Sequence, residues 1–127
     1  MNIEEIREYC LSMPEATEDL PFDEVTLVFR VRRKIFAILP LDTPRWLVVR
    51  SSEDYASELR EKYEEILPAY HMNKKYWSQI DLEGNLRYDF IKSLIRRSYK
   101  EIVSKLPKAV RIQLESLLTY DNQGERI

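Results

Sequence analysis

The chain has 127 residues, a formal net charge of −2, one histidine and one cysteine. That length suits a single domain, able to bury roughly two-thirds of the surface its unfolded form exposes, and a lone cysteine excludes an internal disulfide. No apolar run approaches the roughly 20 residues of a membrane span and the acidic N-terminus does not resemble a signal peptide, so a cytoplasmic protein with no membrane partner is expected.

Charge is unevenly spread. Residues 1–24 carry eight acids against Arg7 alone, a balance of −7 that leaves +5 for the remainder. Between Lys92 and Arg111 seven bases face only Glu101. Asymmetry of this kind is either a solvated helix face or a binding surface.

In chain order, Ile3, Ile6, Tyr9 and Cys10 recur at helical spacing, with Asn2 and Glu5 at the offset of an N-cap and its N3 partner. Cys10 lies on the apolar stripe, which favours a buried thiol over a reactive one. "TLVFRV", "KIFAIL" and "RWLVVRS" then read as three strands. Leu27, Phe29 and Val31 share one face of the first, as in a sheet covered on one side. The link between the first two strands is so short that it demands an antiparallel hairpin, although Arg32 and Arg33 are poor residues for a tight primed turn. Ser51 with Asp54 predicts the start of a second helix carrying Tyr55, Ala56, Leu59, Tyr63 and Ile66 inward, and Pro68 its end. "PAYHMNKKYW" at 68–77 has no periodicity and reads as a loop leading into a strand over "KYWSQIDL". A long helix is predicted from Tyr88 to Leu106, with Lys92, Arg96 and Lys100 as a basic ridge, and a last helix from Pro107, before a frayed tail over 121–127. The order α-β-β-β-α-β-α-α predicts an α+β domain over 1–120, its antiparallel sheet packed against helices.

Chemistry is sparse. One His and one Cys are too few for a zinc site, and two glycines in the chain cannot build a phosphate-cradling loop. Nothing resembling a nucleophile elbow is present. No catalytic residue, metal or cofactor is therefore expected. The histidine stands in the 68–77 loop, where an imidazole, the Asn73 amide, two ammonium groups and the Trp77 indole could together hold a phosphate, stack a base or fix a carboxylate. The same residues could equally be structural, with Trp77 in the core and Asn73 capping a turn.

"LPFDEVTLVFRVRRKIFAIL", "LREKYEEILPAYHMNKKYW" and "LIRRSYKEIVSKLPK" resemble the three signature blocks of the MmcQ/YjbR family, small bacterial proteins predicted to bind DNA. The resemblance runs from Ile3 to Lys108 and is most specific at Pro21-Phe22, the "HMNK" run with Trp77, and Ser98-Tyr99. It implies a two-layer CyaY-like or secretion-chaperone-like fold whose hairpins act as wings on nucleic acid. It also implies functional positions at His71, Asn73, Lys74 and Trp77, with Ser98 and Tyr99 as neighbours. Where that family usually has small residues, often Gly-Gly, before the hairpin lysine, this chain has Arg32 and Arg33.

Two readings follow. One is a DNA-binding or DNA-associated protein, weak and non-specific, that contacts phosphates through Arg32, Arg33, Lys34, His71, Asn73, Lys74 and Lys75. The other is an adaptor that binds a protein or small acidic ligand with its sheet and the His71 loop. Trp77 is expected to be mainly structural and Lys74 to reach solvent or a carboxylate. His71, Asn73 and Trp77 are expected to converge with Ser98 or Tyr99.

Overall fold

Asn2 starts the first helix as its capping pair predicts: its side chain accepts from Glu5 N at 2.9 Å and the Glu5 carboxylate accepts from Asn2 N at 3.4 Å. The structure is a computed structural model that describes the backbone of residues 2–125 and the side chains of residues 2–118. Helix α1 (Ile3–Leu11) leads to β1 (Ala16–Asp19), then β2 (Thr26–Val31), β3 (Lys34–Pro40) and β4 (Trp46–Arg50). Helix α2 (Glu53–Lys62), β5 (Ile66–Pro68), β6 (Trp77–Asp81), α3 (Tyr88–Val103) and α4 (Lys108–Glu125) follow. The last two residues of the tail expected at 121–127 lie outside the described residues, as do the side chains of all seven.

The six strands form one antiparallel sheet in the order β1-β2-β3-β4-β6-β5. Its covered face carries Leu27, Phe29, Leu39, Leu47, Val49 and Ile80, which join Ile91, Leu94, Ile95 and Tyr99 of α3 in one apolar cluster. Alternation sends Val28, Ile38 and Trp77 to the second face, and they are buried outside that cluster. The domain is thus two-layered and α+β, with its helices against one side of the sheet.

The strand count departs from expectation. β1 and β5 add an edge strand at each side, so the four-stranded CyaY-like order gives way to a six-stranded one. Neither edge has the apolar alternation of a half-buried strand: β1 is "ATED", and β5 falls where the spacing predicts the end of α2. Tyr63 leaves the helix with φ −124° and ψ 120°, and Ile66 pairs with Ile80. Ile66 is buried in either arrangement, so helical spacing alone did not separate the two.

Ser98 accounts for how α3 locks onto the sheet. Between Phe29 and Arg30 the β2–β3 register shifts, so Phe36 is an extra residue, turned inward edge-on to Tyr99 with ring centroids 5.3 Å apart. Beside that bulge β3 and β4 do not bond directly. The buried Ser98 Oγ instead accepts from Arg50 N at 2.8 Å and donates to Phe36 O at 2.6 Å, satisfying both backbone groups. Tyr99 OH donates to Pro14 O at 2.6 Å and ties the same helix to the α1–β1 link.

Candidate nucleic-acid interface

Register collects the candidate residues at one end of the sheet. Val31 pairs with Lys34, so the β2–β3 loop is Arg32-Arg33 alone. Both residues have positive φ, 49° and 71°, as a primed two-residue turn requires. Only glycine enters that region freely, so two arginines there are strained, and Glu15 at φ 59° lies beside them. Arg32 holds Glu15 through Nε at 2.8 Å and a second guanidinium nitrogen at 3.1 Å, which fastens the hairpin tip to the start of β1. Arg33 O accepts from the Arg30 guanidinium at 2.8 Å. The Arg33 and Lys34 side chains are exposed and have no carboxylate partner among the described residues.

The 68–77 loop opens at the same end. Ala37 pairs with Val49 and Arg50 with Trp77, so β4 ends and β6 begins beside the hairpin, and the axes of β3 and β6, two strands apart, lie about 10 Å from each other. The loop is closed by its own backbone: Ala69 N donates to Trp77 O at 3.1 Å, and Tyr76 N and Trp77 N both donate to Asn73 O. Asn73 Oδ1 accepts from Lys75 N at 3.1 Å, so this amide shapes the turn. Lys74 Nζ lies 5.2 Å from the centroid of the exposed Tyr70 ring. Lys74 and Lys75 also line a groove of about 440 Å³ with Arg60, Glu53 and Glu61.

His71 is exposed, and its side chain has no hydrogen bond or ion pair among the described residues. A general base needs an orienting acid, and none is supplied. Nor is there, among the described residues, any group of three His, Cys, Asp or Glu able to hold a metal ion. The expected convergence is therefore partial. Trp77 is 7% exposed and reaches the Ser98 network through its strand partner Arg50, whereas His71 and Asn73 stay outside it. Arg60, whose pKa burial lowers, clamps this junction by donating to Trp77 O at 2.7 Å and Ser78 Oγ at 3.0 Å. Cys10 is buried, and its desolvation, reinforced by Glu18, pushes the thiol well above its ordinary range.

Helix α3 carries its C-terminal end to the same place, because Tyr88 at its start donates to Glu5 O while Lys105, just past its end, reaches the Tyr76 ring. The basic ridge expected on α3 is divided. Lys92 lies over Tyr9 and Tyr88, and Arg96 donates to Leu118 O at 3.2 Å, leaving Lys100 exposed. Sequence reasoning missed Arg50, Tyr70 and Tyr76 at this end, whereas Lys105 belongs to the basic run between Lys92 and Arg111. The tyrosines flank the "HMNK" run, and Arg50 closes the alternation Trp46, Val48, Arg50. A roomier groove of about 710 Å³, walled by Ile3, Pro44, Trp46 and Leu82, lies at the opposite end of the sheet and contains none of these residues.

The chain is 30% identical over 118 residues to the uncharacterized protein YjbR of Escherichia coli K12, covering 92% of this chain and all of that one, and equally to its counterpart in strain O157:H7. It superposes on the crystal structure of a Deinococcus radiodurans protein described by the domain name DUF419, with a TM-score of 0.83 and 30% identity over 90% of this chain and 88% of that one. A Pseudomonas syringae structure matches with a TM-score of 0.66 and 27% identity, over 77% of this chain and 96% of that one. The expectation of a CyaY-like fold is corrected by these matches: the architecture is that of the DUF419 domain. The YjbR family model matches residues 11–101, and with a relative aligned over its whole length the chain belongs to the YjbR family.

Proposed function

We propose that this protein is a non-enzymatic nucleic-acid-binding protein that holds DNA weakly by its phosphate backbone. The observation that carries this reading is the juxtaposition of two unpaired hairpin cations, Arg33 and Lys34, with the Lys74–Lys75 loop two strands away at one end of the sheet. Strain at the hairpin turn adds support, since conformations that cost stability are kept where a loop has work to do. Contacts from scattered lysines and arginines supply affinity without base readout. Log K should therefore fall against log salt with a slope of about −3 to −5, the value for four or five neutralised phosphates. Replacing Arg33 and Lys34 together by Ser should flatten it by about two. Absence of binding at low salt, or a slope indifferent to the double substitution, would refute this reading.

A second reading, an adaptor for a protein partner, is favoured by one observation: Leu20, Phe22, Val25 and Leu41 present an exposed apolar face at the opposite end of the sheet. A partner that protects this face from hydrogen exchange while DNA leaves the hairpin unperturbed would favour the adaptor.

A further inference from the structure

Arg50 and Lys105 come from different layers, the end of β4 and the turn after α3, and meet at one ring. The Arg50 guanidinium carbon is 4.6 Å from the Tyr76 centroid and 5.9 Å from that of Trp77, while Lys105 Nζ is 5.9 Å from the Tyr76 centroid. Neither cation has a carboxylate partner among the described residues, and Arg50 Nε is buried without a protein acceptor. Two features of this arrangement are unfavourable as it stands. Like charges gathered at one ring repel, and the ring face attracts cations without accepting the in-plane Nε–H. A buried donor left without an acceptor is costly, and an ion is one of its ordinary explanations.

The surroundings hold these groups still. Arg50 N is bonded to Ser98 Oγ, Tyr76 N to Asn73 O, and Arg60 grips Trp77 O, so the Arg50 stem and the backbone at Tyr76 are fixed before any ligand arrives. A fixed site loses little freedom on binding. Nε itself has no accessible surface as it stands, so an anion with several acceptor oxygens would offset the repulsion from the outer guanidinium nitrogens and Lys105, and Nε–H would join it only as the guanidinium turned outward.

We infer that Arg50, Tyr76 and Lys105 form a seat for a single phosphate group. The fork of Arg50 suits paired phosphate oxygens, and Lys105 supplies a second charge from the helix layer. The seat rests on the nucleic-acid reading for the source of that phosphate, a backbone diester, but not for its chemistry, which inorganic phosphate shares.

The test is the Arg50 Nε–Hε resonance of the isotope-labelled full chain, assigned by its loss in Arg50→Lys. It is titrated at constant ionic strength with inorganic phosphate and, separately, with a short single-stranded oligonucleotide. Movement to saturation in both arms is expected. Lys105→Gln, an exposed position outside the core, should weaken phosphate about tenfold while leaving the fold intact. Movement with the oligonucleotide alone supports a seat for backbone diesters, and movement with phosphate alone supports the seat while removing nucleic acid as its source. An Arg50 signal still in both arms, with the oligonucleotide bound elsewhere and salt-sensitive, overturns the seat and spares the reading above; a water answering Nε–H would give this result. An oligonucleotide that binds nowhere overturns that reading instead.

Discussion

Replacing Arg32-Arg33 by Asn-Gly should stabilise the protein while weakening the proposed binding of nucleic acid. Both arginines occupy left-handed backbone, φ 49° and 71°, where a side chain costs on the order of 1 kcal/mol each and where Asn-Gly is the preferred pair for a primed turn. Against this gain of about 2 kcal/mol stands the Arg32–Glu15 ion pair, whose side chains are 42% and 37% exposed and which is therefore worth roughly 0.2–1 kcal/mol. Glycine also loosens the unfolded chain, a further cost of about 0.4–1 kcal/mol. The net is about 0 to 1.4 kcal/mol, centred near 0.7, which at its centre raises Tm in a chain of this length by roughly 2–4 °C. Differential scanning calorimetry of wild type and variant, with oligonucleotide binding measured in parallel at low salt, checks both halves. A lowered Tm would refute the claim of strain; a raised Tm with undiminished binding would refute its connection to the ligand.

Ser98→Ala should cost about 2–4 kcal/mol in a denaturant titration, because it leaves Arg50 N and Phe36 O without the hydroxyl that serves both, at roughly 1–3 kcal/mol per buried group. Trp77→Ala should cost roughly 3–5 kcal/mol and Lys74→Ala less than about 0.5 kcal/mol, the first seen in thermal melts and the second mainly in binding. The hydrogen bonds from Arg45 hold the Asp81 carboxyl below its ordinary value of 3.8. A depressed folded pKa contributes stability above the ordinary value and loses it as pH falls through the folded one, so Asp81→Asn should show a shallower loss of stability below about pH 4 than wild type.

The sheet end unites these expectations. Strain at Glu15, Arg32 and Arg33, the Ser98 bridge and the orphaned Arg50 Nε all occur within the same few strand ends. The opposite end has a different character: Leu20, Phe22, Val25 and Leu41 are exposed there, and Arg45 is neutralised by Asp81 and Glu83. A ligand drawn by charge would meet the first end and not the second.

Local pattern was sufficient for much of this molecule. The capping pair at Asn2 and Glu5, the strands of "TLVFRV" and "KIFAIL", and the amphipathic α3 all follow from spacings that a single element sets by itself. The hairpin between Val31 and Lys34 was legible because so short a link leaves antiparallel pairing as its only geometry. Its positive φ values were not, since arginine does not announce a turn that neighbouring strands impose. Edge strands β1 and β5 likewise depend on partners distant in sequence: "ATED" becomes a strand by pairing with β2, and Ile66 by meeting Ile80. The candidate site divides in the same way. Lys74, Lys75 and the hairpin bases were conspicuous as residue types, but only strand register brings them to one end of the sheet. Only the tertiary fold sets Arg50 and Lys105, fifty-five positions apart in the sequence, at a common ring, because a convergence between layers leaves no periodic trace in either segment.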